Sequence, residues 1–253
     1  MMAMNRHSRM WVGTLAGGVV SLLAVGCAAE QDPGLQPAPE PEQTVAAPCP
    51  PDLSVAQLTG TVRLGEADID GDGNADDVIM GSVPGGGRGC AVAMAVTTSD
   101  TEAVAPVSGA SDVVGSSALG RPAFAQVDGA AGDEIVVTTS WSPRGGGALA
   151  MFSWVDGGLV QVQQGGRPWE LFATVDDGGG LPQLLTCLPD GFARVTAYPP
   201  GLDAGSTVTS YALADGVLTV RDREQDRTAT YQQVRRDYPL LPRAGVAVLP
   251  DCG

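Results

Sequence analysis

The chain has 253 residues, 29 acids against 14 basic residues, a net charge of −15, one histidine (His7) and no lysine. So acidic a surface is a poor match for nucleic acid or anionic headgroups and a good one for cations. The absence of lysine removes Schiff-base and Ser-Lys chemistry. At the N-terminus, "MMAMNRHSRM" carries Arg6 and Arg9 and no acid, and the apolar "WVGTLAGGVVSLLAV" follows. A basic start and an apolar run of about 15 residues read as a signal peptide over residues 1–26, too short for a membrane span. Export follows. Without Arg6 and Arg9, twelve arginines face 29 acids and the net charge beyond the signal is −17. His7 lies inside the signal, so the rest of the chain has no imidazole for a general base, a Ser-His-Asp triad or a typical zinc site.

The signal ends in "LLAVGC", which resembles the lipobox of bacterial lipoproteins. Gly26 matches the small residue before the modified cysteine, and Ala24 stands where leucine or valine is more usual. The resemblance implies cleavage before Cys27 and a lipid on it, anchoring the chain to the membrane outside the cytoplasm. Ordinary secretion with cleavage at the same small residues is the alternative. The five cysteines are Cys27, Cys49, Cys90, Cys187 and Cys252. An odd count in an exported protein asks for an explanation, and a lipidated Cys27 leaves four for two disulfides. Four cysteines allow three pairings and the sequence does not choose among them. Pairing Cys49 with Cys90 and Cys187 with Cys252 would pin each end of the domain. Zinc is the poorer reading, with no CxxC pair and no histidine.

Residues 27–48 are rich in Pro, Ala, Glu and Gln with almost nothing to bury, and read as a disordered tether. The folded part then spans residues 49–253, one domain's worth of chain. Its apolar residues fall in short runs: "DVIMGSV", "CAVAMAVTT", "EIVVTTSW", "ALAMFSWV", "GLVQVQQ", "QLLTCL", "ARVTAY", "STVTSYAL" and "GVLTVRD". Gly, Pro, Asp and Ser separate them, and no long stretch keeps a helical period. The prediction is all-β. The final segment, with "TATYQQV" and "GVAVLP", alternates well enough for edge strands.

Three times an Asp/Gly-rich loop runs into a strand: "DIDGDGNADDVIM", "QVDGAAGDEIVV" and "TVDDGGGLPQLLT". Val78, Ile135 and Leu184 take equivalent places, 57 and 49 residues apart. A repeat of roughly 50 residues built of three or four strands is the pattern of propeller-like blades. The units fall near 60–120, 121–172 and 173–220, with further strands C-terminal. The first loop resembles the FG-GAP or VCBS-type repeat of integrin-like β-propellers and many secreted bacterial proteins. Its cue, an Asp-rich DxDxDGxxD loop feeding an apolar strand, is complete in Asp68, Asp70, Asp72, Gly73 and Asp76. The second loop keeps Asp128, Gly129, Gly132, Asp133 and Glu134 but has Ala130 and Ala131. The third keeps Asp176 and Asp177, with Gln183 in place of the later acid. The resemblance implies ligand recognition or adhesion. Three units are fewer than the four to eight blades of a closed propeller, so a partly open sheet or a sandwich stays open as the alternative architecture.

Calcium takes six to eight oxygen ligands at about 2.3–2.6 Å. In the first loop Asp68, Asp70 and Asp72 sit at alternate positions, Gly73 permits the turn, the Asn74 carbonyl fits position 7 and Asp76 position 9. Position 12, where an EF-hand has a bidentate Glu, is Ile79, and a strand follows instead of a helix. An EF-hand sensor needs a helix pair to open, so the expectation is a structural Ca²⁺ clamp. "GGGRG" and "RGGG" lack the Lys-Ser/Thr of a phosphate loop and read as turns. Trp141, Trp154, Trp169, Phe152 and Phe172 cluster in the second unit. Core packing is the expected role, with display of Trp169 to a sugar or partner as the alternative. The sequence thus predicts a membrane-anchored, calcium-stabilised binding or scaffolding protein of the cell envelope. Its partner would be an envelope protein or glycan, without nucleic acid and without catalysis. The alternative is a carboxylate-based, carbohydrate-active hydrolase, which would need two carboxyls about 5–9.5 Å apart in a concave pocket.

Overall fold

Each of the nine apolar runs forms a strand. The computed structural model describes residues 49–50, 52–87, 89–110, 122–142, 146–174, 181–198, 205–242, 245–250 and 252, all within one unit, Val45–Gly253. The signal segment, the tether with Cys27, and the third loop with Asp176 and Asp177 lie outside these residues.

The first sheet is a meander of β1 (Thr59–Ala67), β2 (Asp76–Ser82), β3 (Val92–Thr97) and β4 (Glu102–Pro106). The second holds β5 (Ala123–Ala125), β6 (Glu134–Ser142), β7 (Gly146–Val155) and β8 (Gly158–Gln161). A small hairpin of β9 (Gln163–Gln164) and β10 (Arg167–Pro168) follows, and then β11 (Glu170–Thr174), which returns to pair with β7. The third sheet is a meander of β12 (Gln183–Leu188), β13 (Gly191–Tyr198), β14 (Gly205–Ala214) and β15 (Val217–Asp226). After β15 comes α1 (Tyr231–Asp237), and β16 (Val246–Val248) lies parallel to β12. The "DG" pairs Asp156-Gly157 and Asp215-Gly216 both have positive φ, the turn chemistry that closes β7 onto β8 and β14 onto β15.

Alternate side chains of each strand enter different cores, and this stacks the sheets. Val78, Met80, Val92 and Met94 of the first sheet share a core with Ile135, Val137, Ala150 and Phe152 of the second. Val136, Leu149 and Met151, on the opposite face of the second sheet, join Leu185, Phe192, Tyr211 and Leu213 of the third. The second sheet is therefore buried on both faces, which is why "EIVV" and "ALAMF" read as continuous apolar runs rather than alternating ones. Trp169, only 4 % exposed, fills the second of these cores. It meets Phe192 edge-on at 6.0 Å and 79°, and Phe192 stacks on Tyr211 at 5.0 Å. Each ring pair adds about 0.5–1.5 kcal/mol beyond its burial. Phe152 is fully buried, Trp154 packs against the first core, and Phe172 projects outward, 62 % exposed.

The architecture is all-β, an open stack of three sheets among the described residues. The third repeat departs from the first two. Where β1 flanks β2 and β5 flanks β6, the place beside β12 is taken by β16. The expected edge strand in "TATYQQV" is corrected as well, because the segment is α1. Thr230 accepts a hydrogen bond from Gln233 N (3.2 Å) while the Gln233 side chain accepts from Thr230 N (2.6 Å). That reciprocal cap starts a helix, and Val234 anchors it in the core behind the third sheet.

Cys49 pairs with Cys90 and Cys187 with Cys252, with Cα separations of 5.3 and 5.6 Å. The first bond ties the N-terminal end to the turn before β3, and the second ties β12 to the C-terminal end. With 41 and 65 residues between partners, each removes roughly 4 kcal/mol of unfolded-chain entropy. Two such bonds suit an oxidising, extracytoplasmic compartment. Among the described residues no helix is long and apolar enough to cross a membrane.

Candidate metal centre

The loop between β1 and β2 is organised by its own carboxylates. Asp68 Oδ1 accepts from Gly71 N (2.9 Å) and its Oδ2 from Gly73 N (3.0 Å). Asp70 Oδ1 accepts from Asp72 N (3.0 Å). Asp76 Oδ2 reaches back to Ile69 N (2.7 Å) and Asp70 N (3.2 Å). The acids thereby satisfy backbone amides that the turn would otherwise leave without partners. Ile69, only 1 % exposed, plugs the loop into the core below.

Three of these acids converge. Asp68, Asp70 and Asp76 each bring an oxygen within 4.8 Å of the others, the spread of donors around one ion with bonds of about 2.3–2.6 Å. Asp76 is 1 % exposed and its Oδ1 is buried with no hydrogen-bond partner. A buried carboxylate oxygen left bare costs about 1–3 kcal/mol or more, and a cation at the cluster would satisfy it. Burial pushes the Asp76 carboxyl above its ordinary pKa; the amides of Ile69 and Asp70 oppose this, and the charges of Asp70 and Asp72 add to it. The donors are all hard oxygens, which fit Ca²⁺ or Mg²⁺ rather than a softer metal.

The Asp72 carboxylate is not one of the three that gather, and the Asn74 side chain is its hydrogen-bond partner. Asp72 accepts from Asn74 N (2.7 Å), Asn74 Nδ2 (3.0 Å) and Ser99 Oγ (2.9 Å). The Asn74 side chain, then its amide, then Ser99 hold the Asp72 carboxyl below its usual range. Asp72 thus braces the outer rim against the β3–β4 turn.

The loop between β5 and β6 repeats the scheme, displaced by one residue from the alignment the strands suggest. Glu134 Oε2 accepts from Val127 N (2.9 Å), seven residues back, as Asp76 does from Ile69. Asp128 Oδ1 accepts from Ala130 N (2.7 Å), as Asp70 does from Asp72 N. Glu134, rather than Asp133, is therefore the counterpart of Asp76, and Val136 rather than Ile135 that of Val78. The signal lay in the sequence: the pairs Ile69-Asp70 and Val127-Asp128 each precede a buried acid by the same spacing.

In this second loop the acids of the first are replaced. Gln126 stands at the place of Asp68 and donates its side-chain amide to the Ala130 carbonyl. Ser153 Oγ donates to Glu134 Oε1 (3.1 Å), so neither oxygen of Glu134 is bare. In the first unit Asp77 pairs with Thr97, and the next residue, Thr98, turns its hydroxyl to accept from Asp100 N and Thr101 N in its own turn. Glu134 is 3 % exposed. Its carboxyl is raised to about 7, first by burial and then by the charge of Asp128, against the hydrogen bonds from Val127 and Ser153. The sequence reading passed over both Ser153 and this role of Glu134.

The two loops also touch. Asp133 N donates to the Asp68 carbonyl at 2.7 Å. Burial, and secondarily the charge of Asp68, raise the Asp133 carboxyl above its ordinary value. In comparisons with known proteins no family model matches the chain, and no curated protein or solved structure gives a significant match.

Proposed function

We propose that this is an exported, lipid-anchored protein of the cell envelope whose β-repeat domain is clamped by one Ca²⁺ ion and acts in binding or scaffolding rather than catalysis. The observation that carries the clamp is the bare, buried Oδ1 of Asp76, a residue whose carboxylate gathers with those of Asp68 and Asp70. Asp68, Asp70 and Asp76 would hold the ion, and its charge would offset three clustered carboxylates at the point where β2 begins. The chain's own residues do the rest: Ile69 fixes the loop to the core, and Asp72 with Ser99 closes the rim. Export and anchoring are supported by the signal-like N-terminus ending at Cys27 and by the two disulfides. The partner is an envelope protein or glycan, as the loop's resemblance to adhesive repeats implies.

The hydrolase alternative draws no support from the raised carboxyl. Glu134 is buried between Val127 N and Ser153 Oγ, with no open face to a substrate. The clamp is tested by thermal unfolding of the chain and of Asp70→Ala, each in EGTA and in excess calcium. At a free concentration of about 100 Kd, one site adds about 2.7 kcal/mol, a rise of roughly 5–10 °C for a domain of this size. Asp70→Ala is expected to lose most of that rise. Equal midpoints with and without calcium in the unaltered chain contradict the clamp.

A further inference from the structure

We propose that the second Asp/Gly loop is the back wall of the cation site, so that Gly132 and Asp133 act as positioning residues and cation binding locks the first repeat to the second. This rests on the cation reading above and extends it from a local clamp to a staple between sheets. Three contacts carry it. Asp133 N donates to the carbonyl of Asp68, a residue of the triad. At Gly132 (φ +104°) a Cβ would lie 2.5 Å from the Ile69 carbonyl oxygen and 3.2 Å from Gly71 N. At Gly71 (φ +79°) a Cβ would lie 2.7 Å from the Ala131 carbonyl carbon. The segment 68–71, which bears two of the three carboxylates, is thus pressed backbone to backbone against 131–133 of the neighbouring unit.

The consequence is mechanical. A side chain at Gly132 must push on the carbonyl of Ile69, the residue that joins Asp68 to Asp70 along the chain. Conversely, an ion that draws Asp68, Asp70 and Asp76 together fixes the Asp68 carbonyl as the acceptor for Asp133. The replacement of acids in the second loop then has a use: the backbone of Ala131 and Gly132 supplies a close-packed, glycine-bearing surface for the loop that holds the ion.

The test uses the full chain with Ca²⁺ alone as the probe. Affinity is measured by calorimetry for the unaltered chain, Gly132→Ala and Gly129→Ala. Gly129 is the matched control: its φ is +78°, yet a Cβ there meets nothing within 4 Å. Both variants carry left-handed backbone strain, and only Gly132→Ala reaches the first loop. The expected result is an affinity loss of roughly tenfold or more for Gly132→Ala and less than roughly threefold for Gly129→Ala. Hydrogen exchange of the unaltered chain is the second readout, with slower exchange expected over 131–134 when calcium is added; it decides the matter if Gly132→Ala fails to fold. Equal affinities for the two variants, or an exchange rate at 131–134 that calcium leaves unchanged, overturn the staple while leaving the clamp intact. No binding by the unaltered chain overturns both.

Discussion

The loops at 68–76 and 126–134 share a backbone plan and differ in how they are neutralised. In both, an acid seven residues on returns to a buried apolar residue's amide: Asp76 to Ile69, and Glu134 to Val127. In both, an aspartate side chain caps the amide two residues ahead. The first loop gathers three carboxylates and leaves one buried oxygen bare. The second turns the Gln126 amide onto the Ala130 carbonyl and Ser153 onto Glu134, so both oxygens of that acid are satisfied within the chain. One fold therefore carries two solutions to the same turn, one that calls for a cation and one that does without.

The harshest way to break that contrast is Asp76→Ala. It strips the partner from two amides, Ile69 N and Asp70 N, at about 1–3 kcal/mol for each orphaned group, and also removes the bare Oδ1, which returns about as much as one of them, so unfolding in denaturant should register a net loss of roughly 1–3 kcal/mol without calcium. Calcium should restore none of it.

The mirror experiment lies in the second loop. Glu134 titrates near 7 in the fold against 4.5 for the ordinary group. At this group the folded state then binds more protons than the unfolded one between those values, so the contribution of Glu134 to stability is fully present below about pH 4.5 and is lost as pH rises towards 7, by up to about 3 kcal/mol. Glu134→Gln should flatten that part of the pH profile. A slope left unchanged would mean that Glu134 is not the group responsible.

A constructive version rebuilds the lost site. Gln126→Asp together with Ala130→Asp places acids at the positions of Asp68 and Asp72, alongside Asp128 and Glu134. Calcium stoichiometry by calorimetry should rise from one to two, with the second site the weaker because Ser153 already occupies one oxygen of Glu134. The smallest effect is expected from Ser99→Ala. It frees only the exposed rim carboxylate of Asp72, and the affinity should move by less than about twofold.

The sequence made the strands legible because each is a short apolar run between Gly, Asp and Pro turns. It also made the loop legible, since alternate aspartates around glycine have few other uses. Which acids converge was not legible. Alternation treats Asp68, Asp70 and Asp72 alike, whereas in the fold the carboxylates of Asp68, Asp70 and Asp76 gather and Asp72 takes Asn74 and Ser99 as partners. Strand alignment paired Ile135 with Val78; stacking in the fold pairs Val136 with it, because the side chain that faces the next sheet sets the register. The helix at 231–237 was hidden by an alternating pattern that also fits strands, although Thr230 and Gln233 spelled its cap.

The most direct measurement of the central claim is calcium binding by calorimetry to the unaltered chain and to Asp76→Asn. Asparagine keeps a carbonyl oxygen to accept from the Ile69 and Asp70 amides, and puts an uncharged NH2, which cannot ligate a cation, in place of the bare oxygen. The prediction is one ion per chain for the unaltered protein and an affinity lower by roughly two orders of magnitude for Asp76→Asn. Absence of binding by the unaltered chain, or equal affinity in the two proteins, would contradict the account.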